Sequence, residues 1–272
     1  MSEAKAANGA GAPFFPVVRA IGWVTFLEIV RDKILYNIIV FAFLLMAVGL
    51  LASKLTFVRP DRVILDFGMS AVNLCCVLVG IFTGASVLGR EFERRTIFVA
   101  LSRPISRFQF TVGKFAGIAL VQICNWALLS VAYLVILAIA SMEFKLMMSS
   151  SFAWGLILIL SEGLLIAGLA LMFSTFTTTS LSAMLTIGLF LVGNNVSQIR
   201  LVSQRTKNPF ASGVLNALSN VLPNLENFHL GFKVTYSLPT TFAYGIGTFL
   251  YGCLFAALFV ALAGAFIQSR ES

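Results

Sequence analysis

Few residues of this 272-residue chain could do chemistry, and their spacing removes most reaction classes at once. Cys75, Cys76, Cys124 and Cys253 all fall inside apolar runs. A disulfide framework or a metal centre would need them in loops or grouped with histidine and acids. They read as small buried hydrophobes, and no metal site is expected. His229 is the one histidine, with neither cysteine nor a paired acid beside it. There is no H-E-x-x-H and no histidine within an apolar run, so an intramembrane hydrolase or transferase would lack its catalytic pair. Glu162, between Ser161 and Gly163, lies in a long stretch otherwise free of charge. A carboxylate there costs several kcal/mol unless it is paired, hydrated or protonated. It fits a polar contact in a path or at an interface between two chains. It equally fits a hydrogen-bonded structural glutamate packed where Gly163 lets a neighbour approach. Asn194 and Asn195, ending the next apolar run, share the path-or-interface reading and also suit capping or interhelical hydrogen bonding, as do Asn73 and Asn125.

The elements that must hold these groups are apolar helices. Hydrophobic residues make up 59% of the chain and charged residues 11%, with a mean hydropathy of +0.95. Soluble domains carry roughly 25% charged residues, so lipid must replace much of the water around this one. The fold class is all-α integral membrane. Stretches poor in charge at 34–51, 67–88, 115–142, 152–173, 181–196 and 242–266 predict about six transmembrane spans. The charge-free run 163–199 is too long for one span, and the polar cluster from Ser174 to Ser180 divides it. All seven prolines lie outside these spans, and Pro239 falls where the first turn of the last helix would begin. Residues 1–15 read as a disordered tail, and 16–270 as one transmembrane domain. Val17, Ile21, Val24 and Leu27 recur at helical spacing, with Trp23 among them, predicting an amphipathic helix along the inner leaflet. In the connection 198–240, Val214, Leu215, Leu218, Val221 and Leu222 predict a short helix that caps the bundle or dips back into it. The net charge of +8 is carried without any basic run interleaved with aromatics, so no nucleic-acid partner is expected. Arg90, Arg94, Arg95, Arg103 and Arg107 crowd the connection between the second and third spans, placing it and both termini in the cytoplasm.

That connection reads Gly89-Arg90-Glu91-Phe92-Glu93-Arg94-Arg95-Thr96-Ile97-Phe98-Val99-Ala100-Leu101-Ser102-Arg103-Pro104-Ile105-Ser106-Arg107. Residues 91–101 suit a helix of about three turns, with acids toward its positive N-terminal end. Pro104 disfavours helical continuation at Arg103, and Ser106 can cap a new helix running into the third span. A short cytoplasmic helix tied at both ends to spans is well placed to transmit a push.

The segment resembles the permease subunits of type-two ABC exporters, the superfamily of the nitrous-oxide-reductase maturation and gliding-type permeases. Glu91 and Glu93 match the acids of that pattern and Thr96 its threonine. Leu101, Ser102, Pro104, Ile105, Ser106 and Arg107 match its turn, and Gly113-Lys114 the following Gly-Lys. Arg95 stands where glycine is common. The segment from Leu222 to Phe228 is similar to the family's stretch before the last span. The resemblance implies an ATP-driven exporter of the bacterial inner membrane, with ATP held by a separate ATP-binding subunit and no cofactor bound by this chain. That subunit would dock on a coupling segment comprising Glu91, Glu93, Arg94, Arg95, Thr96, Ser102, Arg103 and Pro104, and a second permease chain would complete the path. The chain carries no G-x-x-x-x-G-K-[ST] loop of its own. The rivals are a membrane assembly protein without transport and an intramembrane enzyme.

Overall fold

The computed structural model describes residues 14–55, 60–93, 106–140, 150–205, 208–236 and 238–269. Every regular element among them is helical. The long helices are α1 (Phe14–Val30), α2 (Lys33–Leu55), α3 (Pro60–Glu93), α4 (Arg107–Ile139), α5 (Ser150–Ser174) and α6 (Thr179–Gly193). Short helices α7 (Val196–Arg205) and α8 (Pro209–Val221), a 3₁₀ turn (Leu225–Phe228) and α9 (Gly231–Thr235) lead to the last long helix, α10 (Phe242–Ser269). Among the described residues five helices are long and apolar enough to cross a membrane, and six spans result if the α6–α7 pair, bent by 61°, counts as one.

The bundle is arranged for lipid. Phe15, Val40, Leu51, Val131, Met184 and Leu254 face outward, while Asn73, Gln122, Asn125, Ser161 and Glu162 are buried. Water would favour the reverse, so this outer surface belongs against acyl chains. With no hydrophobic drive between helices in lipid, close contact rests on small residues. At the α3–α5 contact a Cβ on Gly84 would lie 2.6 Å from the Ala167 carbonyl, and one on Gly80 would lie 2.8 Å from that of Gly163. Against α10, Gly168 abuts the Ala256 backbone and Gly252 abuts the Ser161 hydroxyl. Helix α5 is therefore the axis of the bundle, touched by α3, α4, α6 and α10.

Local chemistry sets the helix ends. Ser106 Oγ accepts from the Gln109 N–H at 3.2 Å and Gln109 Oε1 accepts from the Ser106 N–H at 3.0 Å, a complete capping box. Helix α4 therefore starts at Arg107, ahead of the charge-free run that marks its span. The polar cluster after α5 makes the expected turn: Thr177 Oγ1 donates to the Phe173 carbonyl and Ser182 Oγ to that of Ala170. Helix α10 begins at Phe242, with the Thr241 carbonyl accepting from Tyr244 and Gly245, so Pro239 precedes the first turn rather than opening it.

Small residues and hydrogen bonds decide which faces of two helices pack. Helix α1 buries Gly22, Thr25 and Ile29, while Val24 and Leu27 of the expected stripe are 63% and 44% exposed. Small residues set that contact: Gly22 meets the Gly113 carbonyl and Gly117, and Gly117 meets Thr25. The larger apolar side chains are left facing outward. Between α6 and α10, the helix carrying the periodic run, α8, pairs with α7 through Ser203 Oγ donating to Asn216 Oδ1 at 2.8 Å. The part that packs back on α3 and α5 is the later stretch, where Leu225, Phe228, Leu230 and Val234 are buried.

Candidate functional site

Two polar regions stand out, one at an end of the bundle and one at its centre. The end is where α1 turns into α2, α3 finishes and α4 begins. Asp32 and Arg90 form an ion pair there, and the Asp32 carboxylate also accepts from the Ile34 N–H at 3.1 Å. Partial burial pushes the Asp32 carboxyl up, but the hydrogen bond from Arg90, the bond from Ile34 and the charge of Arg90 together hold it below its ordinary range. Arg107 donates to the Ile267 carbonyl at 3.2 Å, tying the start of α4 to the end of α10. Lys114 is 5% exposed, lies 3.9 Å from the Glu28 carboxylate and sits over the Phe110 ring. Gly113, beside it, meets Ile21 and Val18 of α1. The Gly-Lys pair thus serves the α1–α4 contact, its glycine by close approach and its lysine by charge.

Glu91 and Glu93 fall in the last turn of α3. Arg94, Arg95, Thr96, Ser102, Arg103 and Pro104 lie outside the described residues, and with them most of the expected coupling helix. Both anchors of that connection, α3 ending at Glu93 and the capped start of α4, are in place.

The centre is built on Glu162, which is 0% exposed. Asn73 of α3 donates through Nδ2 to Glu162 Oε2 at 2.7 Å. One turn along α3, the Cys76 carbonyl accepts from Gln122 Nε2 of α4 at 2.9 Å, and Cys76 Sγ lies 3.9 Å from Asn125 Nδ2. The Gln122 amide rests where a Cβ on Gly163 would stand. Ser161, on the other flank, donates to the Phe249 carbonyl of α10 at 3.2 Å. Polar side chains from three helices thus gather at one level of a single chain, with Asn73 in contact with the carboxyl.

Asn194 and Asn195 are not part of this cluster. They occupy the α6–α7 bend, where Asn194 caps α6 and Asn195 Nδ2 donates to the Leu191 carbonyl at 2.8 Å. Gly193 beside them is pressed against Leu225 and the Pro223 carbonyl. Asn73 and Asn125 do bond between helices, while Gln122 escaped the sequence reading although it stands in the same kind of charge-free run. His229, noted in the sequence only as a lone histidine, lines a small cavity together with Asn73, a neighbour that no local pattern announces.

A family profile described as ABC-2 family transporter protein matches residues 19–271 of the chain. No curated protein sequence matches it.

Proposed function

The chain belongs to the ABC-2 family of transporter proteins, and from that premise we propose that it is the membrane-spanning half of an ATP-driven exporter whose ATPase is a separate subunit. The permease role in an ABC transporter and the multi-pass membrane location follow from the family and the apolar helices. The proposal adds the direction of transport, the docking site, the pairing and the orientation.

One observation carries it. The connection that follows Glu93 joins the two helices, α3 and α4, that grip the axial helix α5. At α3–α5 the contact is made at the level of the backbone, through Gly80, Gly84, Gly163 and Ala167. Packed backbones slide or tilt as units and do not absorb displacement in flexible side chains. A push on the coupling segment of residues 90–104 is passed to α5, and through Gly168 and Gly252 to α10. Closure of an ATPase dimer on ATP biases the bundle between two states to the extent that it binds them differently.

Two copies of the chain, or this chain and a related one, form the path between them. The cytoplasmic side carries both termini and the 93–107 connection, in the plasma membrane of a bacterium, and the arginine density of that connection supports the orientation. Glu162, sealed inside one chain, acts in this conformation as a structural hydrogen-bonding partner of Asn73 rather than as a lining residue.

The test is co-expression with the ATP-binding protein encoded beside it, extraction in mild detergent, and measurement of ATP hydrolysis with and without Glu93→Lys. A stable complex whose hydrolysis is altered by the charge reversal is expected. A chain that purifies without any ATP-binding partner would overturn the reading.

A further inference from the structure

The cluster around Glu162 leaves several acceptors without a partner. Glu162 Oε1, Gln122 Oε1 and Asn125 Oδ1 have no hydrogen-bond partner, on side chains that are 0%, 0% and 4% exposed. Of the amide nitrogens nearby, Asn73 Nδ2 donates to Glu162 Oε2, Gln122 Nε2 to the Cys76 carbonyl, and Asn125 Nδ2 reaches the Cys76 sulfur. A proton on Glu162 converts one orphaned acceptor into a donor. A carboxylate would instead leave a charge in a low-dielectric centre with a single neutral amide for company.

The proton also has a route. Asn73 lines a cavity of about 40 Å³ together with Ser70, Ile159 and His229. A water needs about 10–15 Å³ and two to four polar partners, so the space suits water beside Asn73, Ser70 and the imidazole. His229 is exposed on its other side, at the end of the bundle opposite the 93–107 connection. Its Nδ1 lies 3.2 Å from the Leu225 carbonyl, a contact made by a protonated Nδ1, which leaves Nε2 to take and release protons. We propose that Glu162 is a proton-binding site, loaded from the His229 end of the bundle through the water-sized cavity beside Asn73. Protonated His229 gives its Nε2 proton to cavity water, and Asn73, which lines the cavity and bonds Glu162, marks where that water meets the carboxyl. That water gives a proton to the Glu162 carboxylate, and the imidazole returns to its neutral form. No other bond changes.

His229 lines the cavity beside Asn73, and Cys76 lies one turn from Asn73 along α3. Helix α4 offers only the neutral Gln122 and Asn125, and α10 contains no acid, base or histidine. Asp66 faces Gly231, with its carboxylate 3.7 Å from where a Cβ there would stand, and Lys233 sits over the Tyr244 ring. The proposal concerns side chains of this chain alone and stands apart from the ATPase reading.

Infrared difference spectroscopy on the full chain in lipid nanodiscs tests it, with carbon-13-labelled glutamate and Glu162→Gln to assign the carbonyl band. A protonated-carboxyl band that belongs to Glu162 is expected at acidic pH, and it should shrink as pH rises. In heavy water its deuteration should be slowed several-fold by His229→Ala and unchanged by Asp66→Asn. Absence of a Glu162 band at acidic pH would overturn the proposal. So would a band of constant size across pH, or one whose deuteration ignores His229→Ala.

Discussion

The pairs Asp32–Arg90 and Asn73–Glu162 each join a carboxylate to a donor across two helices, and their settings differ in every other respect. At the bundle end the partner is a full opposite charge, both side chains keep some exposure, and a backbone N–H adds a second bond. At the centre the partner is a neutral amide, Glu162 is fully buried and Asn73 nearly so, and one carboxyl oxygen is left without a partner. A partly solvated ion pair gains little because water serves each half well when they separate. A buried polar pair matters chiefly when one member is removed, because the survivor then has no substitute. The two regions teach that hydrogen-bond count and charge do not rank importance in this bundle; the alternative open to each group does.

The comparison can be broken most forcefully in the packing that seals the centre. Gly84→Val places a branched side chain into the Ala167 backbone, and a loss of about 3 kcal/mol or more is expected, read as a large drop in thermal unfolding temperature in detergent. A full recovery of stability by repacking would show the centre to be looser than described. Next comes Asn73→Leu, which strips Glu162 Oε2 of its donor and should cost roughly 1–3 kcal/mol. Adding Glu162→Met to that variant should restore most of the loss, since removing both partners removes the unpaired group as well. Non-recovery would mean the pair does more than satisfy itself. Ser106→Ala, at the end of the bundle, removes half of the capping box and should cost about 1 kcal/mol, with the first turn of α4 losing amide-exchange protection before the rest.

The smallest effect belongs to the ion pair. Asp32→Asn or Arg90→Gln should change stability by less than about 1 kcal/mol, shrinking further in high salt. The Asp32 carboxyl is held below its ordinary range when folded, so its contribution is present above the unfolded value and lost as pH falls through the folded one. Acid titration of stability should therefore be shallower in Asp32→Asn than in the wild type below about pH 4. A loss as large as that of Asn73→Leu would invert the comparison.

Much of the architecture was legible because bilayer physics is coarse. Charge-free length, proline placement and the Ser174–Ser180 turn locate the long helices, since an apolar helix in lipid has few alternatives. The capped start of α4 was equally legible, because a serine after an X-Pro step is a local signal. The contact face of α1 was not. Large apolar residues such as Trp23 and Val24 mark the side that faces lipid, while Gly22 and Thr25, which periodicity does not single out, make the contact. The central cluster was half legible: Glu162 and Asn73 draw notice as polar residues in apolar runs, but nothing local says that they meet. The placement of His229 beside Asn73 depends on the Leu225–Phe228 turn packing against distant helices, and no pattern within the segment records it.

The central claim is that an ATPase subunit moves the bundle by pushing the connection after Glu93, and photocrosslinking in the assembled complex tests it most directly. A photoreactive residue placed at Arg94 should crosslink to the ATP-binding subunit, with a yield that changes on adding ATP, while one placed at Glu226 should not. Crosslinking from Glu226 with none from Arg94 would reverse the orientation and contradict the account.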